Sequence, residues 1–289
     1  RPQSTGIEYM WQNIGTMRNT GLELTLGFDI FKKSDFRWSL DLNATFFKNK
    51  ITKMPKDSDG NPQEIINGTK KLSEGHSIYD FWLREYAGVD TQDGSALYYK
   101  DIEDENGNVT GRETTKDQNA ASYYYMGDAI PDLYGGFTNS FSYKGFDLSI
   151  FFSYQIGGKM YDSNYAGLMH PGSFGTHWST DIRDRWQNPG DVTNVPRLQN
   201  NYTAASAASS RWLTNASYLA LKNVTFSYTL PKSIQKKLDM KNCKVFLTGD
   251  NLFLLSKRKG MDPQQSFNGT SDYTYVPNRV VSLGINVTF

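Results

Sequence analysis

The sequence predicts an all-β fold, an antiparallel transmembrane β-barrel segment of about ten strands with long extracellular loops. Three observations carry this. Apolar residues recur at every second position through several runs. Those runs are about eleven residues long, the reach a tilted strand needs to cross a bilayer, whereas globular strands peak near five or six. Connectors alternate between short and long, as in outer-membrane barrels with short periplasmic turns and long extracellular loops.

The strands are read in order at 5–12, 20–31, 36–48, 78–88, 94–101, 133–143, 146–156, 214–230, 243–255 and 279–289. Leu22, Leu24, Leu26, Phe28 and Ile30 alternate with Glu23, Thr25, Gly27 and Asp29. Phe36, Trp38, Leu40, Leu42, Ala44 and Phe46 alternate with Arg37, Ser39, Asp41, Asn43 and Thr45. The same rhythm runs through Phe146, Leu148, Ile150, Phe152 and Tyr154, and closes the chain in Val281, Leu283, Ile285, Val287 and Phe289. Runs 5–12 and 94–101 are the shortest and least regular. Links such as Lys32 to Asp35 and Lys144-Gly145 are short. Those after the third, fifth, seventh and ninth strands run from about 23 to about 57 residues. With Phe289 at the periplasmic end, every long link falls outside the cell.

Composition agrees. The 289 residues carry 31 Lys plus Arg against 30 Asp plus Glu, which excludes the cationic surplus of a nucleic-acid binder. Hydrophobic content is 38% while aromatics reach 14%, unlike a disordered chain or a helical bundle. A mean hydropathy of −0.59 is usual for a soluble protein, but a barrel needs apolar residues at alternate positions alone. Cys243 is the single cysteine, so no disulfide framework or thiolate metal cluster arises, and a small packing role is expected of it. No apolar run reaches the roughly 18 residues of a transmembrane helix. The first ten residues lack the apolar core of a signal peptide, so the chain is expected to start after processing or inside something longer.

Aromatics gather near strand ends: Tyr9 and Trp11; Tyr79, Phe81 and Trp82; Tyr98 and Tyr99; Tyr123 to Tyr125; Tyr273 and Tyr275. They fit girdles at headgroup level, with ordinary sheet packing as the alternative.

NIGTMRNTGLEL (Asn13 to Leu24) carries an N-x-G-x-x-x-N-x-G-x-E pattern. The segment Gly127 to Gly158 carries G-x-x-x-P-x-x-x-G-G followed by the Y-K-G-F-D-L turn. The stretches Tyr218 to Pro231, Val245 to Gln264 and Pro277 to Phe289 follow. In this order the five stretches resemble the C-terminal barrel of SusC/RagA-type TonB-dependent outer-membrane transporters. The resemblance implies the last part of a 22-stranded barrel. The signal peptide, N-terminal extension, plug domain and N-terminal strands of the family are absent from this sequence. The expected partners are the remaining barrel and plug segment, a SusD-like surface lipoprotein, TonB through the absent N-terminal region, an oligosaccharide or peptide ligand, and outer-membrane lipid. The expected location is the outer membrane of a Gram-negative, Bacteroidota-type bacterium, and no enzymatic activity is expected. An edge strand open to lipid would leave unpaired backbone groups costing several kcal/mol each, so the missing strands must come from elsewhere.

Candidate site residues concentrate in the longest link, about Gly158 to Leu213. His177, Trp178, Asp181, Arg183, Trp186 and Arg197 combine flat rings with charged donors and acceptors, which suits sugar or peptide recognition. Packing against neighbours or a lid is the competing role. Phe289 resembles the terminal aromatic read by the barrel-assembly machinery. Asp57 to Asn61 with Glu64, and Asp101 to Gly107, offer oxygen ligands without the full spacing of a calcium loop. A solvated Asn-Gly hairpin is the leading reading of the second, and calcium in an extracellular loop its alternative. His76, His170 and His177 lack zinc spacing, and no catalytic triad is visible. Asp181 and Asp184 are read as loop ion-pair partners rather than as a glycosidase pair. A soluble or surface carbohydrate-binding or adhesion β-protein is the second functional reading, and a glycoside hydrolase the third.

Overall fold

The computed structural model of the 289-residue chain describes residues 6, 15–33, 35–271, 273 and 275–289. In chain order the elements are β1 (Thr16–Lys32), β2 (Phe36–Lys53), β3 (Ile65–Asn67), β4 (Lys70–Leu72), β5 (Asp80–Arg84) and β6 (Tyr86–Val89). Next come β7 (Ala96–Glu103), β8 (Val109–Thr115), β9 (Tyr123–Asp128), β10 (Leu133–Tyr143), β11 (Phe146–Ile156) and β12 (Lys159–Tyr161). The chain finishes with α1 (Ser163–Leu168), β13 (Leu213–Asn215), β14 (Tyr218–Thr229), α2 (Lys232–Lys237), β15 (Asn242–Ser256) and β16 (Val280–Thr288). Among the described residues no helix is long and apolar enough to cross a membrane.

Seven strands form one antiparallel wall in the order β1-β2-β10-β11-β14-β15-β16. Because directly paired residues share a face, the register lets each row be followed across the sheet. One row reads Phe31, Trp38, Phe141, Leu148, Phe226, Leu247, Leu283. A neighbouring row on the opposite face reads Asp29, Ser39, Ser140, Ser149, Thr225, Thr248, Ser282. Each row keeps one chemistry across seven strands. Next on the apolar face come Phe28, Leu40, Asn139, Ile150, Val224, Gly249 and Val281. The polar exception there, Asn139, accepts a 3.1 Å hydrogen bond from the Trp38 indole. Each thus supplies the partner that the other would need in an apolar medium.

The apolar rows run on β1 from Leu22 to Phe31, roughly 30 Å along the strand and about 23 Å once tilted by some 40°. Beyond Leu22 and Phe46 the same face turns polar, through the pairs Thr20–Lys48 and Arg18–Lys50. Beyond Phe31 and Trp38 it ends in Phe36, Tyr143, Phe146 and Tyr228, with the rings of Phe146 and Tyr228 4.3 Å apart. This aromatic margin lies at the short-turn end. Trp38, Leu40 and Leu42 are half-exposed rather than sealed in a core, and Leu283 is 77% exposed.

Glycines and bulges adjust the sheet locally. A Cβ on Gly135 would lie 2.1 Å from the Asn43 carbonyl oxygen. Close approach of β10 to β2 therefore requires glycine there. Register shifts flank Lys222 on β14, which is how Leu221 and Val224, three positions apart, reach the same face.

Among the described residues the expectation of about ten wall strands is corrected, since seven pair in the wall. Runs 20–31, 36–48, 133–143, 146–156, 214–230, 243–255 and 279–289 correspond to wall strands, though β1 and β2 extend further, to 16–32 and 36–53. Run 5–12 lies outside the described residues, as do Tyr9 and Trp11. Run 78–88 is divided between β5 and β6, which belong to different small sheets, and 94–101 overlaps β7. β5, β6 and β7 all belong to one excursion between β2 and β10.

That excursion changes where the core sits. Phe81, Leu83, Ala129, Tyr161, Met169 and Trp212 form a buried cluster from residues outside the wall strands. Tyr98 is buried with Ala96, Ala121 and Ala204. The girdle expectation is therefore corrected for Phe81 and Tyr98, which are 0% and 1% exposed and packed inside the excursions. Tyr79 packs on the same core. Trp82, Tyr99 and Tyr123 to Tyr125 stack against rings or cations of the excursions' own small sheets. Tyr273 and Tyr275 are exposed.

Candidate functional site

The excursions 157–217 and 257–279 meet around a cavity of about 780 Å³. Asp162 organises one side. Its carboxylate caps α1 by accepting from the Tyr165 amide at 3.0 Å, and accepts from the Ser271 hydroxyl at 3.3 Å. Its other oxygen pairs with Arg258 Nε at 2.9 Å. The guanidinium of Arg258 lies 3.8 Å from the Tyr165 ring centroid, an arrangement that holds a planar cation over a π face. The Tyr165 hydroxyl donates to Asp181 Oδ2 at 2.8 Å. Burial, then the hydrogen bond to Asp181, pushes the Tyr165 phenol above its ordinary range. Lys257 and Lys259 flank Arg258, and Ser179, Thr180 and Thr214 add hydroxyls to the lining. This cleft of mixed polarity, lined by three cations and three carboxylates, is suited to holding a hydrogen-bonding ligand.

The six sequence-derived site residues divide. Asp181 lines the cavity. Trp178 stands in the adjoining loop, where its indole donates to the His170 carbonyl at 2.9 Å and its ring stacks on His170 at 5.0 Å. His177 and Arg183 are exposed nearby. Trp186 and Arg197 sit elsewhere, around the turn at Asp93-Gly94. The Trp186 indole donates to the Thr91 carbonyl at 3.0 Å. Arg197 donates to the Asp93 carbonyl and, at 3.0 Å, to Ser95 Oγ, with its guanidinium over Tyr202. Gly94 is required there, at φ 71°, because a Cβ would fall 2.4 Å from the Trp186 ring. These two residues spend donors on the chain's own backbone and side chains.

Asp162, Tyr165 and Arg258 escaped sequence reasoning. The run Lys257-Arg258-Lys259 was a visible signal, but nothing in one sequence places it against Asp162, almost a hundred residues earlier.

The acidic stretches behave as turns. Asp104 Oδ1 accepts from the amides of Asn106 at 2.9 Å and Asn108 at 2.8 Å, in the β7–β8 hairpin. Those bonds hold its carboxyl below the usual range. Asp57 Oδ1 likewise accepts from the amides of Asp59 at 3.0 Å and Asn61 at 2.8 Å. Among the described residues no group of three His, Cys, Asp or Glu side chains is placed to hold a metal ion. Cys243 is buried on β15 with a free thiol. Phe289 is 74% exposed, just past the end of β16.

No protein-family model matches the chain. Along its full length it is 29% identical to TonB-dependent receptor P3 of Formosa agariphila, covering 30% of that protein. It is 25% identical over 97% of its length to TonB-dependent receptor SusC of Bacteroides thetaiotaomicron, covering 27% of it. Among solved structures, the RagAB peptide importer in its closed-closed state matches the whole chain with a TM-score of 0.83 and 26% identity, covering 31% of the matched chain. The open-open state of that importer matches with a TM-score of 0.81. The chain thus spans about 30% of the length of the relatives it matches. These relatives are named for reception or import rather than for an enzymatic reaction.

Proposed function

We propose that this chain, related along its whole length to SusC- and RagA-type TonB-dependent receptors, forms the C-terminal wall of an outer-membrane importer's β-barrel. One observation carries the reading: seven paired strands keep an apolar row beside a polar row without a break. A sheet with hydrocarbon on one side and water on the other needs that division, and a tilted band of about 23 Å fits the roughly 25 Å apolar belt of such barrels. Among the described residues β1 and β16 each have one unpaired margin in the sheet. In lipid those margins need partners. The remaining barrel strands of the transporter, bringing it to 22, would supply them, together with a plug.

The excursions form the extracellular face. There a SusD-like lipoprotein closes over the long loops, and oligosaccharide or peptide enters. His177, Trp178, Asp181 and Arg183, beside the cavity, are the residues offered to ligand or lid. Trp186 and Arg197 brace the neighbouring turn. Energy arrives through TonB acting on the plug, and Phe289 serves as the assembly signal.

The test uses the full-length transporter in the outer membrane of intact cells, with single cysteines along β2. Cysteines at 38, 40 and 42 should resist a membrane-impermeant thiol reagent and react with a lipid-soluble one. Those at 37, 39, 41 and 43 should show the reverse. Equal water reactivity at both sets overturns the reading. Growth of a deletion strain on oligosaccharides or on peptides as sole nutrient then separates the two cargo classes.

A further inference from the structure

The two ends of the wall differ in charge. The three excursions at the long-loop end, 54–132, 157–217 and 257–279, together carry twenty-two acidic residues against sixteen lysines and arginines. The three turns at the other end hold Lys33, Lys144, Lys232, Lys236, Lys237 and Lys241 against Asp35 and Asp239. Among the described residues just one of these lysines has an ion pair, Lys144 with Asp35 at 3.7 Å. Four of the six fall in the α2 turn. Gln235 fastens that turn to the sheet: it is buried and its amide donates to the Leu230 carbonyl at 2.7 Å. Ile234 and Leu238, one helical turn apart, are left 43% and 52% exposed. Directly along the wall from these turns lie the rings of Phe36, Tyr143, Phe146 and Tyr228 that close the apolar face.

We infer that this lysine-bearing rim, centred on α2, is a binding surface for the phosphate headgroups of anionic phospholipid in the periplasmic leaflet. The inference rests on the membrane reading above. The aromatic margin sets the depth at which hydrocarbon gives way to headgroups, because an amphipathic ring is best placed at that boundary. Cations just beyond it meet phosphate, while Ile234 and Leu238 enter the acyl boundary, the two-part chemistry of an interfacial segment. Lysine suits the task, since its flexible stem follows a mobile phosphate without needing bidentate geometry.

The experiment reconstitutes full-length transporter in nanodiscs containing equal phosphatidylglycerol and phosphatidylethanolamine, and counts retained lipids by native mass spectrometry. Wild type should retain phosphatidylglycerol in excess. The variant Lys232→Gln/Lys236→Gln/Lys237→Gln/Lys241→Gln should reduce that preference by about tenfold or more, given roughly fivefold per lysine at a membrane surface. Raising salt should reproduce the loss in wild type. Ile234→Ser/Leu238→Ser should weaken retention of both lipids. A quadruple variant with the wild-type preference overturns the inference, and so does one that loses a periplasmic protein partner while its lipids stay unchanged. The β2 cysteine pattern, read in the same quadruple variant, separates the failures. Alternating labelling without lipid preference sinks this inference alone, and uniform water labelling sinks the membrane reading beneath it.

Discussion

Replacing Trp212 with alanine should unlatch the excursions while leaving the wall standing. Trp212 is 0% exposed in a core it shares with Phe81, Leu83, Ala129, Tyr161 and Met169. Its indole donates to the Ala207 carbonyl at 2.9 Å, its own carbonyl accepts from the Asp162 amide at 2.9 Å, and Arg211 covers its ring at 4.5 Å. Truncating a buried tryptophan costs about 3–5 kcal/mol, from lost burial and the void left behind. Orphaning the Ala207 carbonyl adds about 1 kcal/mol. None of the six core residues lies on a wall strand, so the loss should fall on a separate cooperative unit. Hydrogen–deuterium exchange of the full-length protein in detergent should show faster exchange in peptides covering 78–89, 123–130 and 157–170. The expected gain is about three to four orders of magnitude, capped by the unit's own stability. Peptides from 133–143 and 146–156 should keep their protection. Equal loss in both sets would refute the division into wall and loop core, and no change in either would refute the burial argument.

Three further outcomes are expected. Arg258→Gln leaves Asp162, whose side chain is 4% exposed, without its cation. It should destabilise the 257–271 segment by about 2–4 kcal/mol, less than for a fully buried pair because Arg258 is partly solvated, with Asp162→Asn restoring much of it by exchange measurements. Gly135→Ala drives a Cβ into the Asn43 carbonyl and should abolish the heat-modifiable folded band on gels. Gly27→Ala, which meets just the end of the Asp41 side chain at 3.2 Å, should be tolerated. The loop core should also respond to alkaline pH in two directions. Burial lowers Lys70 to about 8, so its unfolded form holds the extra proton between there and 10.5, and stability rises with pH across that window. Burial raises Tyr86 and Tyr161 to about 12, so stability falls as pH climbs from 10 toward 12. Exchange of the 78–89 and 157–170 peptides, corrected for intrinsic rate, should therefore be slowest near pH 10. A monotonic profile would count against both burials.

The wall was legible because its determinant is local. Alternation in 36–46 and 146–156 fixes which side chains share a face, whatever the strand pairs with. The excursions were not legible, because pairing of β5 with β9 and packing of Phe81 on Trp212 depend on contacts distant in sequence. Phe81 and Tyr98 looked like headgroup aromatics since the sequence cannot distinguish a ring at a boundary from one in a core. The aromatic margin exists, but its members, Phe36, Tyr143, Phe146 and Tyr228, lie inside regular runs and so drew no notice. The parity change between Leu221 and Val224 was a readable mark of the bulge. Of the candidate site, the link 158–213 supplies part of the cavity lining, including Asp181. Which of its residues face the cavity and which brace Gly94 required the fold.

The unbroken rows have a consequence for how such a wall is assembled. A strand docked one position out of step would thrust its hydroxyls and carboxylates into oil along its entire length and turn its rings toward water. Misalignment is penalised everywhere at once rather than at a single contact, so each newly added strand is proofread by its neighbour before the next arrives.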